Sequence, residues 1–196
     1  MKEKLKKLKI LFLTNNSITN SLYLWLRKKN YKIYKFAKPL NKFILQKTNP
    51  DIIISYNYRH IIKKEFLKKY YFINLHISYL PFNRGAHPNI WSFIDNTKKG
   101  VTIHLIDEGI DTGDILVQKR VVLDKNESFK STYKKLHFHM QMLFKANFKK
   151  ILKQKIKPKK QPKNGTFHIS KELPPNIDYN RPIYKVLKEI NENRKI

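Results

Sequence analysis

The chain of 196 residues is long enough for one domain with a hydrophobic core, and its hydrophobic fraction of 41% excludes a wholly disordered chain. It contains no cysteine, which excludes disulfide bonds and thiolate metal sites and fits a reducing compartment. The formal net charge of +28 would attract nucleic acid, anionic membranes or acidic ligands. However, lysines are spread along the whole chain and glycines are scarce, which favours compositional drift toward AT-rich codons over a dedicated polyanion site.

In the first part of the chain, short apolar runs alternate with segments of helical spacing. The apolar runs are predicted to be strands, at residues 9–14, 31–36, 51–55 and 71–76. The intervening helices or helical turns are predicted at residues 18–29, 40–47 and 65–70. This alternation predicts an α/β fold, a mostly parallel twisted sheet with helices on both faces. The first apolar run is too short for a signal peptide or a membrane span, so we expect a cytoplasmic protein without membrane insertion.

The second part of the chain has longer loops and one long helix. A loop at residues 78–86 is followed by a predicted helix at 88–95, two strands at 100–107 and 114–123, and a helix at 128–154. Residues 155–164 are basic and contain two prolines, which predicts a connector. The remaining residues, 165–196, form a tail that ends in a helix at 182–193. These features divide the chain into a core at residues 1–154, a basic connector at 155–164 and a carboxyl-terminal extension at 165–196.

Polar residues stand at two points where a predicted strand gives way to a loop. Asn74 and His76 are two residues apart on a strand, so they face the same side, at the carboxyl end where open α/β sheets bind ligands. An Asn amide can donate to a developing oxyanion, and a His can act as a general acid or base. Asp111, in a turn between Gly109 and Gly113, can orient such a His and raise its pKa. This set suits transfer of an acyl group to an amine.

Residues 73–118 read INLHISYLPFNRGAHPNIWSFIDNTKKGVTIHLIDEGIDTGDILVQ. This segment resembles the core of the formyltransferases that use 10-formyltetrahydrofolate, whose signature is an NxHxSxLPxxRG loop, then GVTxH, then DxxxDTGD. Residues 50–62 resemble the pterin-binding segment of that family, and residues 168–196 resemble the stretch that closes its catalytic domain. The resemblance implies a Rossmann-like formyltransferase fold, with residues 1–154 as the catalytic core and residues 165–196 closing it.

The resemblance also implies roles for individual residues. The catalytic residues are Asn74, His76 and Asp111: the substrate amine attacks the N10-formyl carbon, Asn74 and His76 stabilise the tetrahedral intermediate, and Asp111 orients His76 and assists proton transfer. No metal is needed. The co-substrate is 10-formyltetrahydrofolate, and the residues implied to bind it are Tyr56, Asn57, Tyr58, Arg59, Ile61, Asp107 and Gly109. Of these, residues 56–59 are implied to line the pterin pocket through backbone contacts.

For three further residues the sequence leaves two interpretations open. Ser78 and Arg84 either hold a substrate phosphate or shape the loop after His76. His168 either covers the site or is a surface histidine. We assign Ser78, Arg84 and His168 to substrate binding. His104 lies within a predicted strand, and we interpret it as a structural histidine whose hydrogen bonds are satisfied.

Branches of this family differ in the amine that they formylate. Methionyl-tRNA formyltransferases carry a further carboxyl-terminal domain, which would begin where this chain ends. Glycinamide-ribonucleotide formyltransferases have a glycine-rich phosphate loop, and residues 14–21 contain no glycine. Residues 84–91 (RGAHPNIW) and 165–168 (GTFH) resemble the branch that formylates nucleotide-linked amino sugars for surface polysaccharides such as lipopolysaccharide. We therefore expect a nucleotide-linked amino sugar as the substrate partner.

Two alternatives stand beside this expectation. One is a methionyl-tRNA formyltransferase-like enzyme without the tRNA domain. The other is a non-catalytic, basic nucleic-acid-binding module, against which the intact set of Asn74, His76 and Asp111 argues. We accordingly do not expect nucleic acid as a partner, and a homodimer is left open.

Overall fold

The centre of the protein is a mixed β-sheet in the computed structural model, which describes residues 7–193. In chain order the strands are β1 (Lys9–Leu13), β2 (Lys32–Phe36), β3 (Ile52–Ser55), β4 (Phe72–His76), β5 (Arg84–Gly85), β6 (Gly100–Leu105), β7 (Ile115–Arg120) and β8 (Phe167–His168). The helices are α1 (Asn20–Arg27), α2 (Lys42–Thr48), α3 (Lys64–Leu67), α4 (Pro88–Ile94), α5 (Phe129–Leu152) and α6 (Ile183–Asn193).

The main sheet has the strand order β2-β1-β3-β4-β6-β7. The first four strands in this order, β2, β1, β3 and β4, are parallel. β6 runs antiparallel to both of its neighbours, β4 and β7. The predicted mostly parallel sheet is therefore confirmed. β5 and β8 form a separate two-stranded pair that the sequence did not predict, because two-residue strands have no detectable period and their partners lie far apart in the chain.

Helices cover both faces of the sheet, as predicted. Successive side chains of a strand point to opposite faces. On β1, Ile10 and Phe12 are fully buried in a core shared with α1 and α5. Leu11 and Leu13 are fully buried on the opposite face, in a smaller core shared with α2 and α3.

The long helix α5 begins at a well-defined cap. The Ser128 hydroxyl accepts a hydrogen bond from the Ser131 amide and the Ser131 hydroxyl accepts one from the Ser128 amide, so two amides left free at the helix start are satisfied. Leu136, Met140 and Phe144 follow at helical spacing and are buried against the sheet. None of the helices within residues 7–193 has the length and apolar character needed to span a membrane.

The division into core, connector and carboxyl-terminal extension stays a prediction. Residues 1–6, at the start of the predicted core, and residues 194–196, at the end of the predicted extension, lie outside the described residues.

Phe144 and Phe138, two of the four phenylalanines of α5, provide a matched test of this core. Phe144 is 0% exposed and Phe138 is 60% exposed. We expect Phe144→Ala to lower the free energy of unfolding by about 3–5 kcal/mol, because it removes buried area and leaves a cavity. The control Phe138→Ala should change it by no more than about 0.5 kcal/mol. Urea unfolding of both variants measures the difference, and equal losses would contradict the assigned face of α5.

Candidate active site

The Asp111 carboxylate lies at the centre of a polar cluster at the edge of the sheet. Its Oδ1 accepts a hydrogen bond from Asn74 Nδ2 at 2.9 Å, and its Oδ2 accepts one from the Gly85 amide at 2.9 Å. His76 Nδ1 lies 3.5 Å from Oδ2, and His104 Nε2 lies 3.4 Å from Oδ1. The structure therefore brings together Asn74, His76 and Asp111, the residues that the sequence assigned to catalysis.

The backbone explains why these side chains meet. Asn74 and His76 point to the same side of β4, at its carboxyl end, and the antiparallel pairing of β4 with β6 sets Asn74 opposite His104. Asp111 lies in the turn between β6 and β7 with a left-handed φ of 55°, and its carboxylate contacts Asn74 of β4. Gly85 belongs to β5, which is held in place by β8.

His104 is a member of this cluster that the sequence interpretation did not include. Its Nδ1 donates to the Leu105 carbonyl at 2.6 Å, so the ring is satisfied as expected. Its Nε2, however, also lies 3.3 Å from Asn74 Nδ2 and within reach of Asp111. The GVTxH motif contained this histidine, but its significance depends on the register between β4 and β6, which the sequence does not show.

The ionisation of the cluster follows from its burial and its donors. Burial by itself would raise the pKa of the Asp111 carboxyl. The positive charge that His76 carries when its ring is protonated, the neighbouring His104 ring and the Gly85 amide outweigh this effect, so the pKa of Asp111 lies below its ordinary value. Burial lowers the pKa of the His76 ring, and the neighbouring His104 adds to this, while Asp111 only partly opposes it. At neutral pH the site therefore combines an ionised Asp111 with a neutral His76.

The tautomer of His76 follows from its second contact. His76 Nε2 lies 3.0 Å from the Asn83 carbonyl oxygen, which can only accept, so Nε2 carries the proton. Nδ1 of the neutral ring is then the basic atom, and its 3.5 Å separation from Asp111 Oδ2 is longer than a formed hydrogen bond. A proton taken up at Nδ1 would be held beside the Asp111 carboxylate, which suits His76 to act as a base.

Asn74 has less freedom than the sequence suggested. A carboxylate only accepts, so the amide nitrogen of Asn74 must face Asp111, and the same nitrogen lies against His104 Nε2. Both amide hydrogens are therefore directed within the cluster, and the amide oxygen is the atom left for a ligand. Asn74 would have to turn over, or give up one of these contacts, to donate to an oxyanion.

A cleft of about 810 Å³ opens beside this cluster. Six of the residues that the resemblance assigned to the pterin line it: Asn57, Tyr58, Arg59, Ile61, Asp107 and Gly109. Asp107 Oδ1 accepts hydrogen bonds from Thr112 Oγ1 and from the Gly109 amide, which shapes the turn that holds Asp111.

The side chain of Tyr56 lies outside the cleft, and the pterin contact that the resemblance implies for this residue is a backbone contact. Its side chain is 0% exposed and its hydroxyl contacts the His137 ring in the core, so it does not line the cleft. Tyr56 directly follows β3, and its ring packs against α5 in the hydrophobic core. The one polar atom of this side chain is its hydroxyl, which has a partner there. Only its backbone is left for the pterin contact that the resemblance implied.

The predicted substrate residues separate into two groups. Ser78 is buried away from the cleft, and its hydroxyl has no hydrogen-bond partner within residues 7–193. Arg84 also does not line the cleft, because its guanidinium donates to Gln161 Oε1 at 2.7 and 3.1 Å. For these two residues the structure favours the loop-shaping interpretation. His168 does line the cleft, where Asp95 Oδ2 lies 2.7 Å from its Nε2.

The cleft also contains polar residues that the sequence did not single out. The Tyr133 hydroxyl oxygen accepts hydrogen bonds from Asn57 Nδ2 at 2.9 Å and from Asn16 Nδ2 at 3.2 Å. Its lone pairs are thus occupied, and its O–H remains free to donate to a ligand. Tyr133 lies on the amphipathic helix α5, and only its tertiary neighbours reveal the polar role. Within residues 7–193 no group of three or more acidic or histidine side chains is arranged to hold a metal ion.

The low pKa of Asp111 predicts a pH-dependent contribution to stability. The unfolded value is about 3.9, so ionised Asp111 stabilises the fold above that pH and the contribution is lost as the pH falls through the lower folded value. We expect Asp111→Asn to be less stable than the wild type at neutral pH, with the difference shrinking on acidification. Urea unfolding at a series of pH values from neutral to acidic measures the difference in unfolding free energy between the two proteins. Asp114→Asn, in the same turn, is the control, and a pH-independent difference for Asp111→Asn would contradict the prediction.

Comparisons with known proteins agree with this architecture. The chain is 34% identical over 156 residues to the bifunctional polymyxin resistance protein ArnA of Wigglesworthia glossinidia brevipalpis, covering 76% of this chain and 24% of that protein. It is 31% identical over 148 residues to the methionyl-tRNA formyltransferase of Caldanaerobacter subterraneus, covering 72% of this chain and 48% of that enzyme. The chain thus spans less than half the length of these curated relatives.

Solved structures extend the comparison. The formyltransferase PseJ from Anoxybacillus kamchatkensis, in complex with UDP-4,6-dideoxy-4-formamido-L-AltNAc and tetrahydrofolate, superposes with a TM-score of 0.83 at 37% identity, over 91% of this chain and 97% of that one. A 4-N formyltransferase from Francisella tularensis shares the fold with a TM-score of 0.77 at 21% identity, over 91% of this chain and 86% of that one. The family model described as formyl transferase matches residues 15–147, more than half of the sequence, and the chain therefore belongs to the formyl transferase family.

Proposed function

We propose that this protein transfers a formyl group from 10-formyltetrahydrofolate to the primary amine of a nucleotide-linked amino sugar. The observation that carries the proposal is the approach of His76 Nδ1 to the Asp111 carboxylate, at 3.5 Å, on the lining of the cleft. A base beside a fixed negative charge is suited to remove a proton from an attacking amine.

The roles of the residues follow from this geometry. Bound 10-formyltetrahydrofolate would supply the formyl carbon that the amine attacks. His76 Nδ1 takes the proton that the amine loses, and Asp111 stabilises the resulting imidazolium. Asn74 orients the amine through its amide oxygen, or donates to the developing oxyanion after turning over. The proton on His76 is then available for the leaving nitrogen, so His76 serves as base and then as acid.

The walls of the cleft suit a folate. Its volume of about 810 Å³ is in the range of sites for large cofactors. Ile61 and Ile110 are 85% and 50% exposed on its lining, so a bound aromatic ring would cover apolar surface that otherwise faces water. We propose that Asn57, Tyr58 and Arg59, with the turn that contains Asp107, hold the pterin.

The polar groups around Tyr133 support a hydroxylated or phosphorylated acceptor. Burial raises the pKa of Tyr133, so its hydroxyl stays protonated and can donate to a sugar or phosphate oxygen. Asn16 and His168 line the same cleft. The likeness to PseJ, whose complex contains a nucleotide-linked formamido sugar, supports a nucleotide-linked amino sugar as acceptor here.

A second candidate acceptor is methionyl-tRNA. The net charge of +28 and the identity to methionyl-tRNA formyltransferases favour it. A single assay distinguishes methionyl-tRNA from a nucleotide-linked amino sugar as the acceptor.

Acceptor identity is tested by incubating the purified protein with 10-formyltetrahydrofolate and a panel of UDP-, dTDP- and GDP-linked amino sugars, with methionyl-tRNA in parallel. We expect mass spectrometry to detect one added formyl group on a nucleotide-linked amino sugar. Formylation of methionyl-tRNA alone would replace the sugar proposal. Salt-dependent nucleic-acid binding without folate affinity would indicate a non-catalytic module.

The catalytic roles are tested with conservative variants. We expect His76→Asn and Asp111→Asn each to lower kcat by about 10²–10⁴-fold, because each removes a partner in proton transfer. Circular dichroism should show a retained fold. The control is His139→Asn, a histidine of α5 that does not line the cleft, and it should keep wild-type kcat. Wild-type turnover in Asp111→Asn would remove the carboxylate from the mechanism.

A further inference from the structure

Gln161, in the predicted connector, joins the Asp111 turn to the loop that contains Arg84. Its Nε2 donates to the Asp111 carbonyl oxygen at 2.9 Å and to the Gly113 carbonyl oxygen at 2.7 Å. Its Oε1 accepts from Arg84 Nε at 3.1 Å and from Arg84 Nη2 at 2.7 Å. Both hydrogens and both lone pairs of the Gln161 amide are therefore used.

The orientation of this amide is unambiguous. Turned over, Gln161 would set its oxygen against the carbonyl oxygens of Asp111 and Gly113, and its hydrogens against the Arg84 guanidinium. Both contacts would be repulsive. The chain on either side is anchored as well, because Lys159 and Ile115 exchange backbone hydrogen bonds at 2.7 and 2.9 Å, and Arg84 N donates to the Thr166 carbonyl.

The two segments that Gln161 joins are those that control the Asp111 carboxylate. One is the turn in which Asp111 adopts its left-handed φ of 55°. The other contains Gly85, directly after Arg84, whose amide donates to Asp111 Oδ2 at 2.9 Å. Gln161 thus connects the backbone of Asp111 with the loop that binds the side chain of the same residue.

We propose that Gln161 is a positioning residue of this site, which sets the Asp111 carboxylate against His76 by holding the Asp111 turn and the Arg84 loop in register. This proposal rests on the formyl transfer proposed above. Gln161 does not line the cleft and donates to the backbone of Asp111, so its effect passes through Asp111.

Gln161→Glu is the discriminating variant. It keeps the length of the side chain and an oxygen for Arg84, but it removes both N–H donors and directs a negative charge at the Asp111 and Gly113 carbonyls. We expect kcat to fall by about 10–100-fold, as for a misplacement of a catalytic group by about 1 Å, with both KM values unchanged. Lys160→Ala, at the exposed neighbouring residue, is the control and should retain wild-type kinetics.

A measurement independent of turnover separates positioning from simple loss of stability. Asp111 supports the protonated form of His76, so displacement of the carboxylate should lower the His76 titration midpoint, measured by NMR of its ring on folded protein without substrate. We expect Gln161→Glu and Gln161→Ala to shift that midpoint in the direction that Asp111→Asn does, and Lys160→Ala to leave it unchanged. Gln161→Ala introduces no new charge, so the same shift in both variants would exclude a direct effect of the added carboxylate.

The outcomes distinguish the two proposals. If the wild type formylates no acceptor but both Gln161 variants shift the His76 titration, formyl transfer fails and the positioning role stands. If the wild type is active and both variants keep its kcat and its His76 titration, the positioning role is overturned.

Discussion

A carboxylate buried at the edge of a sheet is costly unless hydrogen-bond donors replace the water it loses. In this protein the Asp111 carboxylate keeps its charge because Asn74 Nδ2 and the Gly85 amide donate to it and two histidine rings lie beside it. The same donors hold it where it can stabilise a proton on His76. The strand ends and the turn around Asp111 together hold this largely buried carboxylate in place.

The groups around this carboxylate come from elements that are distant in sequence. Asn74 and His76 come from the central strand β4, and Gly85 comes from the short strand β5, which pairs with β8 some eighty residues later in the chain. Gln161 adds a further link from the segment between α5 and β8. The residues after the long helix are therefore structurally part of the site, although the sequence marked them only as a basic connector and a tail.

Much of the fold and the centre of the site could be predicted from local patterns. Strand and helix periods are properties of neighbouring residues, which is why the parallel half of the sheet was predicted correctly. Asn74 and His76 share a face because the strand period is two. His104 and Tyr133 were not assigned to the cleft, since a histidine in a strand and a tyrosine in an amphipathic helix look structural until their partners are known.

The sequence by itself determined the α/β class, the family resemblance and the identity of the three polar residues around which the site forms, because motif spacing and hydrophobic period are recorded in the order of the residues. Only the tertiary structure decided that Tyr56 faces the core, that Arg84 binds Gln161, and that Asn74 directs its amide hydrogens into the cluster. Such contacts depend on strand register and on loops that meet across the chain. Each of these side chains could have contacted several partners, and long-range packing rather than local preference selects among them.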